Sequence, residues 1–382
     1  MPWKEASKMS ELGALIRKWV TGLYTVTELA REFSISRPTV YQWTRRYEAH
    51  GEAGLFDRRS VPGACPHRTP EEVARGIIEA KRAHPFWGPS KLIKLLKLEQ
   101  PEVAWPAAST AGLILDREGL VQHRQPRRKP SVLTGQHLQA AESGQMMTVD
   151  HKGQFRMGNG EYIFPVTINE PVSRYIYAIA GKKSTSGLEA KSAFIRVFEE
   201  YGVPVFIGSD NGSPFSCSYA LGGLSVLAVW WIALGITPMR IHPGCPWENG
   251  VHERMHKTLK AETARPPAMN AREQQKRFDV FRTEFNEVRP HDGIGGVRPA
   301  ELLRKCAMAY PRRLPEIEYP GHYEPRSVRR NGVIRWKGDH LFISETLAGK
   351  RVGLVEIGDG VWSIYFNHFE LGRYDERTKR IA

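Results

Sequence analysis

From residue 144 onward the chain becomes a succession of apolar strands broken by helices, and this order restricts its fold more than any other feature. MMTVD, YIFPVTINE and RYIYAIAG read as three strands. A helix near 186–201, the strand VFIGSD, an apolar helix, the short strand MRIH and a further helix follow. Strands and helices interleaved in this way predict a mixed α/β core. Asp150 ends the first strand and runs into HKG, while Asp210 ends VFIGSD and runs into NGSPF. Carboxylates at the carboxyl ends of strands open onto the edge where α/β sheets bind ligands. Glu253 stands on a helix whose start is marked by Pro246, Asn249 and Gly250, so it presents a third carboxylate over the same edge. Three hard oxygen donors suit Mg²⁺ or Mn²⁺, and a pair of such ions about 3.5–4 Å apart activates a water or 3′-hydroxyl and stabilises the leaving oxygen. Asp150, Asp210 and Glu253 are therefore the expected catalytic and metal-binding residues, with phosphoryl transfer on DNA as the chemistry.

The 382 residues allow several domains, and 55 Lys and Arg against 41 Asp and Glu give a net charge of +14. That balance favours a polyanionic partner, nucleic acid ahead of an anionic membrane surface. The uncharged run LGGLSVLAVWWIALGIT at 221–237 just reaches membrane-spanning length. Its diglycine start and strand-like flanks favour a buried helix. Trp230, Trp231 and Trp247 read as core before base-stacking platforms, and Trp247, beside the third carboxylate, is the best placed of them for stacking. The four cysteines lie far apart without a C-x-x-C pair, and the N-terminus lacks an apolar signal core, so a reduced, cytoplasmic chain is expected.

Three short helices are expected over residues 10–50, the last two being TVTELAREFS and SRPTVYQWTRRYEAHG, with a tight turn at Ser34 and Ile35. Ser36 fits an N-cap and Pro38 the first turn. Leu29, Ala30 and Phe33 face Val40 and Trp43, as in a helix-turn-helix. Arg37, Thr39, Tyr41, Gln42 and Arg45 then point outward with DNA-contacting chemistry; the plainer alternative is a helical bundle with a solvated basic face. The break DRRSVPGACPHRTP ends this unit. A second all-α unit follows, with Ser109 and Thr110 at the start of its third helix, and it reads either as another helix-turn-helix or as a spacer. Arg127 and Arg128 lie in the basic, proline-bearing stretch HRQPRRKPSVLTGQ, which suits a linker lying along phosphates. Beyond the core, Asn270 to Val288 reads as a long polar helix. The tail from Ser327 alternates short strands with Gly and Asp turns, as a small β-barrel does. The expected division is a helix-turn-helix domain at 1–56, a second helical, winged-helix or helix-turn-helix-like domain at 70–125, a linker at 126–143, the catalytic core at 144–310 and an SH3-like β-barrel at 325–382.

The set TVDHKG, SDNGSPF and PGCPWENGVHERMHKTLKAE, followed by RPHDGIG, resembles the DDE transposases with a retroviral-integrase-like core, most closely the IS481-type, IS3-like group of bacterial insertion sequences. The likeness extends to the MPW start and RRYEAHGEAGL. It implies an RNase H-like core with Asp150, Asp210 and Glu253 as the metal-binding triad. It also implies a bacterial, nucleoid-associated transposase that binds terminal inverted repeats and target DNA, cleaves and joins strands with Mg²⁺ or Mn²⁺, and acts as a dimer or higher oligomer. Lys257 and Lys260, four and seven residues beyond Glu253, share its helical face and would hold DNA-end phosphates. The 43 positions from Asp210 to Glu253 exceed the spacing of the family's D,D(35)E signature, with the excess expected near Cys217 to Gly223. Glu248 is a rival third ligand, placed before the helix begins. Arg289 and His291 in RPHDGIG suit packing or capping as well as a DNA contact, and Asn211 and Gly212 suit shaping the turn after Asp210, with a DNA contact as the alternative.

Two other functions compete. One is a DNA-binding regulator that has lost catalysis, against which the intact triad argues. The other is a zinc metalloprotease, because HERMH matches H-E-x-x-H. Arg254 between the histidines, and Leu259 and Glu262 where a metzincin places Gly and His, argue against it. On the transposase reading, His252 and His256 neighbour the active site and are candidates to face DNA.

Overall fold

Thr25 and Ser36 each end an extended segment and start a helix, and these two caps set out the N-terminal unit. A computed structural model describes residues 8–56, 68–121, 142–217, 220–242 and 250–381, and the chain divides into units at Met1–Arg68 and Thr69–Ala382. In the first unit lie α1 (Lys8–Val20), α2 (Val26–Glu32) and α3 (Arg37–His50). The Thr25 hydroxyl accepts from the Glu28 amide at 3.3 Å and the Glu28 carboxylate accepts from the Thr25 amide at 2.7 Å, a reciprocal cap. The Ser36 hydroxyl caps α3 through the Thr39 amide, with Pro38 in the first turn. Between them Ser34 adopts a φ of 52° to close the turn. Leu12, Leu15, Leu29, Val40 and Trp43 share the core, with Phe33 packed against it. This is the arrangement expected from the apolar spacing.

In the second unit, α4 (Glu71–Ala83), α5 (Pro89–Glu99) and α6 (Ala108–Arg117) enclose Ile77, Trp87, Leu92, Ala111 and Leu115. The α/β region follows as β1 (Met146–His151), β2 (Phe155–Arg156), β3 (Tyr162–Asn169), β4 (Ile176–Lys182), α7 (Gly187–Tyr201), β5 (Phe206–Ser209), α8 (Val226–Ala233) and β6 (Thr237–Arg240). Its sheet runs β2-β3-β1-β5-β6, with β4 also paired to β3. β1, β3 and β4 pair antiparallel, whereas β1, β5 and β6 run parallel. Parallel neighbours need crossovers, which α7 and α8 supply. This is the mixed α/β order expected from the alternation of strands and helices. Residues Leu227 to Ala233 of α8 are all buried, which accounts for the apolar run, Trp230 and Trp231 included. Among the described residues no helix is long and apolar enough to cross a membrane.

Beyond the sheet come α9 (Gly250–Thr263), α10 (Ala271–Thr283) and the short α11 (Pro299–Leu302). Asn270 caps α10 through the Glu273 amide at 3.0 Å, and the helix continues as a π-helical turn over Glu284–Val288. The tail contains β7 (Glu324–Ser327), β8 (Val333–Trp336), β9 (Asp339–Phe342), β10 (Arg351–Gly358), β11 (Val361–Phe366), β12 (Phe369–Asp375) and β13 (Arg380–Ile381). These form a five-stranded sheet, β13-β12-β11-β10-β7, and a separate β8-β9 hairpin. The tail shares one hydrophobic core with α7 and α8. The Asn367 side-chain amide donates to the Ile232 carbonyl at 2.8 Å, and His368 Nε2 meets the Thr237 hydroxyl at 2.9 Å. The segment around Leu221–Gly223, where extra residues were expected, touches β12.

Candidate active site

Parallel pairing of β1 with β5 puts Val149 opposite Ser209, so the residues that follow, Asp150 near the end of β1 and Asp210 just past β5, come to the same end of the sheet. Asp210 is fixed by a local turn in which its Oδ1 accepts the Gly212 amide at 3.1 Å. The Asn211 side chain donates to the Ile241 carbonyl at 2.9 Å, tying this turn to the end of β6. A Cβ on Gly212 would lie 3.1 Å from the Asp210 carboxylate, so the glycine keeps space beside it. Both residues thus shape the turn, as expected. His151 follows Asp150 and stacks on Phe215. Burial lowers its pKa while Asp210 opposes that shift.

Glu253 comes from α9, and the packing of that helix decides what it faces. His252, Met255, His256 and Leu259 form its buried stripe. His252 Nε2 meets the Thr148 hydroxyl at 2.7 Å, and its Nδ1 lies 3.3 Å from the Asn169 amide and 3.4 Å from the Thr167 hydroxyl. His256 Nε2 meets the Thr167 hydroxyl at 2.8 Å, and its Nδ1 faces Asp150 Oδ2 at 3.8 Å. Both histidines therefore face strands β1 and β3, and burial excludes the DNA-facing orientation considered from the sequence. Burial pushes His252 down to about 4. Burial, with His252, Lys152 and His151 nearby, pushes His256 down to about 2. Both rings are neutral at pH 7. Glu253 is exposed and lies three residues before His256 on the same helix.

Ligand atoms of Asp150, His252 and His256 lie within 4.8 Å of one another, a spacing a metal could use. The hydrogen bonds argue against that use. Both His252 nitrogens and one His256 nitrogen are taken by the sheet, so the H-E-x-x-H match does not build a protease centre. The histidines instead pin α9 onto the strand that carries Asp150. The sequence did carry a signal for this, since His252 and His256 alternate with Met255 and Leu259 at the i, i+3, i+4, i+7 spacing of a buried face.

Lys257 and Lys260 are exposed on the Glu253 flank. Lys152, after β1, lies on the same side: burial first, then Lys260, lowers its pKa, while Asp150 raises it. Lysine 152 escaped sequence reasoning because only the fold brings it beside Lys260. In the N-terminal unit Arg37, Tyr41, Gln42 and Arg45 are exposed, whereas Thr39 is half-buried with its hydroxyl 2.8 Å from that of Ser36. Thr39 is thus partly committed to the cap. Ser109 is exposed and Thr110 half-buried at the start of α6. Arg127, Arg128, Glu248 and Trp247 lie outside the described residues. Arg289 and His291 are buried. Arg289 pairs with Glu262 at 3.2 Å, and His291 meets the Phe285 carbonyl at 3.2 Å, so both pack.

Family models match four stretches of the chain. Residues 14–63 match a helix-turn-helix domain and residues 39–115 a homeodomain-like domain. Residues 234–299 match an integrase core domain, and residues 324–382 match the C-terminal domain of the IS481 family transposases. These matches support an IS481-family transposase with an integrase-like core. Over 192 residues, half of this chain, the sequence is 24% identical to the Gag-Pol polyprotein of baboon endogenous virus (strain M7), of which it spans 10%. Among solved structures, the HTLV-2 integrase catalytic core domain in complex with magnesium shares 15% identity. That match covers 43% of this chain and 99% of the other, with a TM-score of 0.34. The simian T-cell lymphotropic virus intasome in complex with the PP2A regulatory subunit B56 gamma also shares 15% identity, covering 76% and 97% with a TM-score of 0.38.

Proposed function

We propose that this transposase-family chain binds the terminal inverted repeats of its element and catalyses metal-dependent DNA cleavage and strand transfer. The observation that carries the reading is the register of β1 and β5, which brings Asp150 and Asp210 to one edge, with α9 held over it by the His256 contacts. Glu253 completes the triad. Its all-carboxylate donor set fits Mg²⁺ or Mn²⁺, in a two-metal arrangement, better than zinc. When bound, such ions polarise the scissile phosphate and ease deprotonation of the attacking water or 3′-hydroxyl. Lys257 and Lys260, exposed on the Glu253 face of α9, and Lys152, whose ammonium feels the charge of Lys260, hold the DNA-end phosphates against the carboxylate edge. Neutral His256 sits beside Asp150 without adding charge.

In this reading residues 1–56 and 70–125 are two DNA-binding domains joined by the linker 126–143 to the catalytic core 144–310. Arg37, Tyr41, Gln42 and Arg45 of α3, with Thr39 in a lesser role, contact the inverted repeat, as do Ser109 and Thr110. The tail 325–382 is an SH3-like barrel. Bringing two DNA ends together calls for a dimer or larger homo-oligomer, working at the bacterial nucleoid in the cytoplasm.

The test is cleavage of labelled DNA carrying the element's ends, with Mg²⁺ or Mn²⁺, by the intact chain and by Glu253→Gln. Cleavage by the intact chain alone, with equal DNA binding by both, is the expected result. Cleavage surviving in the variant overturns the triad, and binding without cleavage by the intact chain points to a regulator.

A further inference from the structure

RPHDGIG has no part in the chemistry above, yet its residues close one side of a small basic cavity. The cavity, of about 60 Å³, lies on the flank of α9 away from Glu253 and is lined by Lys91 of α5, Arg174, Arg254 and Arg289, with Asn169 and His291. Val251, Arg254, Met255 and Thr258 contribute from α9 at helical spacing, so this face is distinct from the Glu253, Lys257, Lys260 face. Arg174 takes a φ of 63° in the turn between β3 and β4, and its guanidinium rests against Gly293. A Cβ there would fall 2.8 Å from Nη2 and 2.9 Å from Cζ, so that glycine of the motif is what lets the arginine reach the cavity.

The charges do not balance. Arg289 is paired with Glu262 and its guanidinium lies over Trp87 and Phe285, while Lys94 is paired with Asp292. Lys91, Arg174 and Arg254 have no carboxylate at ion-pair distance among the described residues. His291 adds no charge at pH 7, because burial pushes it down to about 4. Three cations converging on a half-buried space repel one another unless an anion joins them. Two of them are arginines, whose planar forks match phosphate oxygens.

We propose that Lys91, Arg174 and Arg254, backed by Arg289, form a pocket for a phosphate oxyanion of the DNA backbone where the α4–α6 helical unit meets the core. The DNA source of that phosphate rests on the transposase reading; the oxyanion site does not. Such an anchor fixes the register of DNA between the helical unit and the carboxylate edge without reading base sequence.

The test compares the full-length chain with Lys91→Gln/Arg174→Gln, with Arg254→Gln and with Gly293→Ala, which displaces Arg174 while keeping every charge. Thermal melting verifies folding of each. Duplex DNA binding is measured across a salt series, and thermal stabilisation by millimolar inorganic phosphate is measured alongside. We expect each lost contact to weaken DNA binding about fivefold and to make the log K against log salt slope shallower by about one unit. Gly293→Ala should behave like loss of Arg174. Unchanged affinity and slope in the folded variants overturn the DNA pocket, even when phosphate stabilisation is lost. If the intact chain binds no DNA, the transposase reading falls, and phosphate stabilisation then decides the oxyanion site: present in the intact chain and lost in the variants upholds it, and absence removes it.

Discussion

His256 Nδ1 stands 3.8 Å from Asp150 Oδ2 while its other ring nitrogen meets the Thr167 hydroxyl at 2.8 Å. This imidazole therefore ties α9 to β3 and sits beside Asp150 of β1, and Glu253 lies three residues earlier on the same helix. Replacing His256 with alanine removes a buried hydrogen bond and opens a gap beneath the helix. We expect a loss of about 2–4 kcal/mol in urea denaturation. Cleavage should fall about 10- to 100-fold, as for outer partners of metal-site ligands. A melt unchanged from wild type would show that the histidine does not anchor the helix.

A second anchor lies where α10 turns π-helical. Asn286 accepts from the Ile176 amide and donates to the Ile176 carbonyl, both at 2.9 Å, pairing with β4 as a neighbouring strand would. Leucine of similar volume fills the space yet leaves both buried backbone groups unpaired. Asn286→Leu should therefore cost about 2–4 kcal/mol, read as a lower denaturation midpoint at unchanged m-value. Equal stability would mean that water or a shifted neighbour takes over both bonds.

The caps, the apolar faces of α2 and α3, the buried α8 and the order of strands were legible because each depends on neighbours a few residues apart. The two aspartates were legible as strand ends, but their adjacency depends on β1 pairing with β5, a choice among strands that the sequence leaves open. His252 and His256 read as polar, and their burial required Thr148, Thr167 and Asn169 from two strands to satisfy them. The docking of the tail on α8 through Asn367 and on β6 through His368 had no local signal at all. Nor did the meeting of Lys91, Arg174 and Arg254, which come from three separate elements.

In the N-terminal unit, Arg45 is exposed on α3 and lies outside the core formed by Val40 and Trp43. Its replacement by alanine should leave thermal stability within about 0.5 kcal/mol. DNA affinity should drop by about 1–3 kcal/mol if the side chain reaches a base edge, or show a salt slope shallower by about one unit if it reaches a phosphate. Titrations with cognate and scrambled duplexes at several salt concentrations separate these two contacts, and an unchanged affinity on both would remove Arg45 from the interface.

Lys91 gives the basic cavity a pH signature. Burial comes first and Arg289 second in pushing it down to about 8, with Arg254 adding and with Asp292 and Glu262 opposing. Lys94, on its own helix, is held by Asp292. Because the folded pKa lies below that of the unfolded chain, protonated Lys91 penalises folding fully below about pH 8. That penalty fades as the pH rises from about 8 toward the unfolded value. Phosphate binding has the opposite preference, since it needs the charged ammonium. DNA affinity at fixed salt should therefore be highest at pH 7 and decline above pH 8, by up to about tenfold per unit for one linked proton. Arginine stays charged throughout this range, so Lys91→Arg should flatten the profile between pH 7 and 9 while keeping DNA binding. A wild-type profile already flat over that interval, or one equally steep in the variant, would detach Lys91 from the phosphate contact.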